Sequence, residues 1–132
     1  MKSNRGFTLL EILIVVVIVG ILASLAIPRY EKTVEHSRGT EAIANLNILR
    51  GAELRFWGEY DEIATNFNDL DVENIQDNSS TYFTYSLDSY DNTTGNFTIT
   101  ATRQSVPPGI YEGDTITIDQ DGNLDGTWPF VP

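Results

Sequence analysis

Hydrophobic positions follow one another along this chain in three different rhythms. Residues 7–27, FTLLEILIVVVIVGILASLAI, are an almost unbroken apolar run that carries a single charge, Glu11. As a helix, a run of that length spans about 31 Å, close to the hydrocarbon thickness of a bilayer. Over residues 29–58 the pattern becomes amphipathic. Ala42, Leu46, Leu49, Ala52 and Phe56 recur in steps of 4, 3, 3 and 4, one stripe of a helix. Glu31, Glu35, Arg38, Glu41, Arg50, Glu53 and Arg55 fall to its polar faces, Gly39 and Gly51 weaken it, and Gly58 marks its end. Residues 59–81 have no period. They are acidic and turn-rich, with Phe67, Leu70, Val72 and Ile75 as isolated anchors, and read as a long loop with a short helical turn.

From residue 82 the period is two. Phe83, Tyr85 and Leu87 alternate in 82–88, and Phe97, Ile99 and Ala101 alternate in 96–103. The intervening SYDNTTG is turn chemistry, so these strands form a hairpin. Val106-Pro107-Pro108-Gly109 interrupts the pattern, TITID at 115–119 is a third strand, QDGN is a turn, and 124–130 is a short fourth strand. The predicted class is α+β: a long N-terminal helix, membrane-spanning and then amphipathic, followed by a sheet of three or four antiparallel strands over 82–132.

Charge divides the chain at the same place. Its 132 residues carry a net charge of −11, but residues 1–60 hold 7 basic and 6 acidic side chains, whereas residues 61–132 hold Arg103 and 13 acids. An acidic head of this kind repels phosphate, which argues against nucleic acid as a partner. There is no cysteine, so disulfides, cysteine-based zinc sites and thiol catalysis are excluded, and His36 is the only histidine. No catalytic constellation and no glycine-rich phosphate loop is found.

Three readings fit residues 7–27: a transmembrane helix, a secretory signal cut after Ala26 that releases a soluble binding module, and an assembly segment built around Glu11. Length and Pro28 argue against the secretory signal. A carboxylate inside an apolar run costs about 2.5–3.5 kcal/mol to insert, so its partner has to be named. No Lys, Arg or His lies between residues 6 and 28. The remaining nearby cation is a new α-amine, created by cutting the chain after Gly6.

The stretch KSNRGFTLLE followed by ILIVVVIVGILASLAIP resembles the leader of the type IV pilin and type II secretion pseudopilin superfamily. The resemblance is close over residues 2–35 and looser in the head, where GDTITIDQDGNL carries it. It implies a pilin fold, with a leader at 1–6, a membrane and filament-core helix at 7–28 and no enzymatic activity. It implies cleavage after Gly6 by a prepilin peptidase, N-methylation of the new first residue Phe7, and retention of Glu11 to neutralise the terminal amine of a neighbouring subunit. Gly20 and Pro28 are implied as weak points of the helix, between which it melts in a filament. The implied partners are other pilin subunits, the peptidase, an inner-membrane assembly platform and the membrane itself. The implied topology is a single pass, N-terminus cytoplasmic and head outside; the charges flanking the run are too balanced to set it. Within the superfamily the chain most resembles a type IV pilus subunit, with a type II secretion pseudopilin as the alternative.

In the head, Asp119, Asp121, Asn123 and Asp125 alternate in DQDGNLDG. Oxygen donors at that spacing suit calcium, but Gly122 stands at the fourth position rather than the sixth of an EF-hand loop, and Asp121-Gly122 equally suits a tight hairpin. No other cofactor is indicated. Asn78-Ser79-Ser80, Asn92-Thr93-Thr94 and Asn96-Phe97-Thr98 match the glycosylation triplet, which arises by chance in a chain so rich in Asn and Thr. Tyr30, Phe56, Trp57 and Tyr60 are read as packing aromatics.

Overall fold

A computed structural model describes residues 6–72, 82–105 and 111–132. The leader residues Lys2 and Arg5, the anchor Ile75, the triplet at 78–80 and the break at 106–109 lie outside the described residues. The chain divides into two units, residues 1–36 and 37–132. One helix, α1 (Leu9–Tyr60), contributes to both.

In the first unit, the apolar side chains from Phe7 to Ile27 are exposed around the whole circumference of the helix. This is the only described helix long and apolar enough to cross a membrane. The helix runs unbroken through Gly20 and Pro28. Proline removes one donor, which would have served the Ser24 carbonyl. Ser24 itself bonds backward, its Oγ donating to the Ile21 carbonyl at 2.7 Å.

The second unit is the head. Here the predicted stripe is the buried one: Ala42, Leu46, Leu49 and Ala52 face a sheet, with Gly39 and Glu53 buried beside them. Phe56 is only half-buried and rests on the ring of Tyr60 at 4.6 Å. The helix ends at Tyr60, two residues beyond Gly58, and Asp61 turns the chain with a φ of 60°. A short 3-10 turn (Phe67–Asp69) follows, capped by Asn66, and buries Phe67.

The sheet has four strands in the order β1-β2-β3-β4, all antiparallel: β1 (Phe83–Asp91), β2 (Asn96–Arg103), β3 (Thr115–Asp119) and β4 (Leu124–Asp125). Alternation in β2 and β3 puts Phe97, Ile99, Ala101, Ile116 and Ile118 against the helix. Cross-strand neighbours Ile99–Ile118 and Ala101–Ile116 share that face.

Two boundaries differ from the sequence prediction. The first hairpin was expected to turn over 89–95, but pairing continues to Asp91–Asn96. A bulge between Leu87 and Ser89 absorbs one residue and restores the register. The extra residue, Asp88, accepts hydrogen bonds from Thr100 Oγ1 at 2.5 Å and Ser86 Oγ at 3.0 Å. The fourth strand was expected over 124–130 but stops at Asp125. Gly126, with a φ of 136°, redirects the chain, and Trp128 enters the core, its amide donating to the Thr115 carbonyl at 3.0 Å. There Trp128 meets Phe83, Tyr111 and Phe130, with ring centroids 5.1–5.8 Å apart. In a chain without cysteine, this aromatic cluster joins the β3–β4 pairing and the Thr115 contacts in fastening the C-terminal segment to the head.

Candidate functional site

The residues predicted for processing and assembly, Gly6, Phe7 and Glu11, lie around the start of α1. Thr8 precedes the first helical residue, and its Oγ1 accepts the Glu11 amide at 3.2 Å. Glu11 reaches back: its Oε2 accepts the Thr8 amide at 2.8 Å and the Thr8 hydroxyl at 3.1 Å. This is a capping box, in which an N-cap Thr and a Glu three residues later satisfy each other's amides. The Glu11 carboxylate is thus partly satisfied inside its own chain, at the positive end of the helix dipole. The Thr-x-x-Glu spacing is the sequence signal for this, and sequence reasoning missed it by treating Glu11 only as a charge awaiting an amine. A Cβ added at Gly6 would meet nothing within 4 Å among the described residues, and Phe7 is exposed. Gly20 and Pro28 lie well inside the helix, in the same unit as the capping box but away from it in sequence.

The second predicted cluster is brought together, as a turn. Asp119 Oδ1 accepts the amides of Asp121 and Asn123 at 3.0 and 2.8 Å, and Oδ2 accepts Asn123 Nδ2 at 2.7 Å. These bonds, the Asn123 side chain first, hold the Asp119 carboxyl below the usual carboxylate range. Asp121 accepts from Gln120 Nε2, and Asp125 from the Gly126 amide. Gly122 supplies the left-handed residue, with a φ of 91°. The oxygens of Asp119 are thus directed at the turn's own N–H groups. No cluster of three or more Asp, Glu, His or Cys able to hold a metal occurs among the described residues.

The structure also shows residues that sequence reasoning placed wrongly or passed over. Glu53 was assigned to a polar face, yet it is 0% exposed. One oxygen, Oε1, accepts the Ala64 amide at 2.5 Å; the other has no hydrogen-bond partner among the described residues. Burial pushes this carboxyl up to about 7, against the smaller opposing effect of the Ala64 N–H. The position is one step after Ala52 in the buried stripe, so the helical stripe drawn one residue wider would have included it. Asn92, read as a turn residue within a glycosylation triplet, accepts the Ile63 amide at 2.8 Å. Arg103 lies buried at the end of β2, donating to the carbonyls of Tyr82 and Gln104. Tyr82 in turn lies under the Arg38 guanidinium, 4.2 Å from its ring centroid.

Comparison with known proteins bears on the N-terminal unit first. Residues 1–27 match the prokaryotic N-terminal methylation motif. The chain is 45% identical to the type IV major pilin protein PilA of Myxococcus xanthus over 67 residues, a match covering 51% of this chain and 30% of that protein. It is 44% identical to the type II secretion system core protein G of Klebsiella pneumoniae over 52 residues, covering 39% of this chain and 37% of that one. A fimbrial protein of Pseudomonas aeruginosa is 32% identical over 133 aligned positions, covering 97% of this chain and 85% of its own length. No solved structure matches significantly. With a capping-box carboxylate at the mouth of an exposed apolar helix, a helix-on-sheet head behind it in the chain, and a relative matched almost end to end, the chain belongs to the type IV pilin and pseudopilin superfamily.

Proposed function

We propose that this chain is a structural subunit of a type IV pilus, and not an enzyme. It enters the inner membrane as a prepilin through residues 7–28, N-terminus cytoplasmic and head outside. A prepilin peptidase cuts after Gly6 and methylates the amine of Phe7. An assembly platform then moves the subunit into a filament, where the apolar helices form the core and the acidic heads the surface. The observation that carries this reading is the match to a fimbrial protein over 97% of the chain.

Chemistry supports the assembly step. Removing residues 1–6 takes away Lys2 and Arg5 and leaves a net charge of −13, with one new cation at Phe7. A charge in an apolar medium is tolerated when paired. The capping box uses one oxygen of Glu11, Oε2, for both Thr8 bonds, and Oε1 is left for the amine of a neighbouring subunit. Lipid and helix core are equally apolar, so burial alone supplies little drive, and this pairing together with helix packing sets the axial register. Melting between Gly20 and Pro28 belongs to that assembled state.

The similarity to protein G keeps a secretion pseudopilin as the second reading, but that match is confined to 39% of the chain. The test is Glu11→Ala in cells. The variant is expected in the membrane fraction at normal levels, with filaments absent by negative-stain microscopy. Normal filaments from Glu11→Ala would overturn the assigned role. Loss of surface fibres on deletion of the gene, with secretion intact, separates pilus from pseudopilus.

A further inference from the structure

Glu53 takes no part in the N-terminal chemistry, yet it is the one acidic side chain among the described residues that is wholly withdrawn from water. It faces the beginning of the segment that leaves the helix. Two successive amides of that segment are tied down: Ile63 N–H to Asn92 Oδ1 in the hairpin turn, and Ala64 N–H to Glu53 Oε1 on the helix. Behind these ties Ile63, Ala64, Phe67 and Leu70 are buried in the head. Adjacent amides of the loop thus tie it to the helix through Glu53 and to the hairpin turn through Asn92. The second oxygen of Glu53 is buried without a hydrogen-bond partner among the described residues, as is Trp57 Nε1 one turn further along the helix.

We propose that Glu53 is a proton-operated latch on residues 61–72, the first part of the loop after the helix: as the neutral acid it rests in the core and holds Ala64, and as the carboxylate it opens, releasing these residues and reaching water. A buried carboxylate with one unpartnered oxygen is a costly group, and the least expensive relief is local opening of the segment that covers it. Among the described residues, the neighbouring charges do not supply a counter-ion. Arg50 on the helix donates Nε to the Gln120 carbonyl at 2.9 Å. Arg55 and Glu59 on the helix are exposed, as are Asp61, Glu62, Asp69 and Asp71 on the loop. On the hairpin, Tyr90 is exposed, and Asp91 accepts from Thr93 and Thr94. Beyond it Asp119 and Asp121 serve their own turn. Burial is the main cause that holds the proton on Glu53 to about pH 7. The latch therefore works across the neutral range. This inference stands on the head alone and is independent of how the filament is used.

The test is amide hydrogen exchange on the full-length chain in detergent micelles, read by mass spectrometry and corrected for intrinsic rates. Between pH 5 and pH 8, opening at Ala64 is expected to increase on the order of 50-fold, while Ile99 and Ile116 in the sheet keep their protection. In Glu53→Gln the increase disappears. Equal pH dependence in the wild type and Glu53→Gln, or an increase spread evenly over the sheet, would overturn the proposal. Should Glu53→Gln fail to fold, a carbon-13 titration of the wild-type carboxyl decides: a midpoint near 7 supports the latch, and one in the ordinary carboxylate range refutes it.

Discussion

Gly39→Ala should destabilise the head even though it improves the intrinsic preference of the helix. In a helix interior, Ala is favoured over Gly by about 0.8–1.0 kcal/mol. At position 39, however, the new Cβ would lie 2.6 Å from Trp128 Nε1 and 3.1 Å from Cε2. That indole is 2% exposed and boxed in by Phe83, Tyr111 and Phe130, so it has little room to retreat. Overpacking of this kind costs about 1–3 kcal/mol, which leaves a net loss of about 1 kcal/mol. Gly51→Ala reverses the sign. Its Cβ meets only the flexible end of Arg55, at 3.8 Å, and should gain about 1 kcal/mol. Both tryptophans, Trp57 and Trp128, lie in the head, so their fluorescence reports urea unfolding of that unit in the full-length chain. For a unit of this size, 1 kcal/mol corresponds to a Tm change of about 4–8 °C. A double-mutant cycle adds the mechanism: in a Trp128→Phe background the clashing atoms are gone, and Gly39→Ala should lose much less. A Gly39→Ala variant stabilised as much as Gly51→Ala would refute the argument.

Two further outcomes follow from the head. Gly95 adopts a φ of 72° and abuts the Trp57 ring, 2.6 Å from where a Cβ would stand, so Gly95→Ala should lose about 2–3 kcal/mol in the same urea assay; a change under about 0.5 kcal/mol would contradict it. Because the folded-state pKa of Glu53 is raised, the group's contribution to stability is fully present below the ordinary carboxyl value of 4.5 and is lost as pH rises through about 7. The loss is at most about 3 kcal/mol, limited by local opening of the loop, and Glu53→Gln should remove that slope from the stability profile.

Much of this architecture was legible in the sequence because its elements are locally consistent. Period two in β2 and β3, and the 4-3-3 stripe of Ala42, Leu46, Leu49 and Ala52, each name the buried face directly. What sequence could not supply was long-range. Nothing local says that Glu53 meets a loop amide eleven residues away, or that Asn92 receives Ile63 across 29 residues. The short β4 was misjudged because Trp-Pro-Phe has strand-like bulk. The backbone instead turns at Gly126, and the aromatics are used as a plug. At the N-terminus, the apolar run and its lone acid were plain, while the Thr8–Glu11 capping box was available in the spacing and overlooked.

The most direct test of the central claim is the N-terminus of the mature chain. Filaments sheared from cells and analysed by peptide mass spectrometry should yield a subunit that begins at Phe7 and carries one methyl group on its amine. A mature chain beginning at Ile27, or one retaining residues 1–6 in the assembled fibre, would contradict the account.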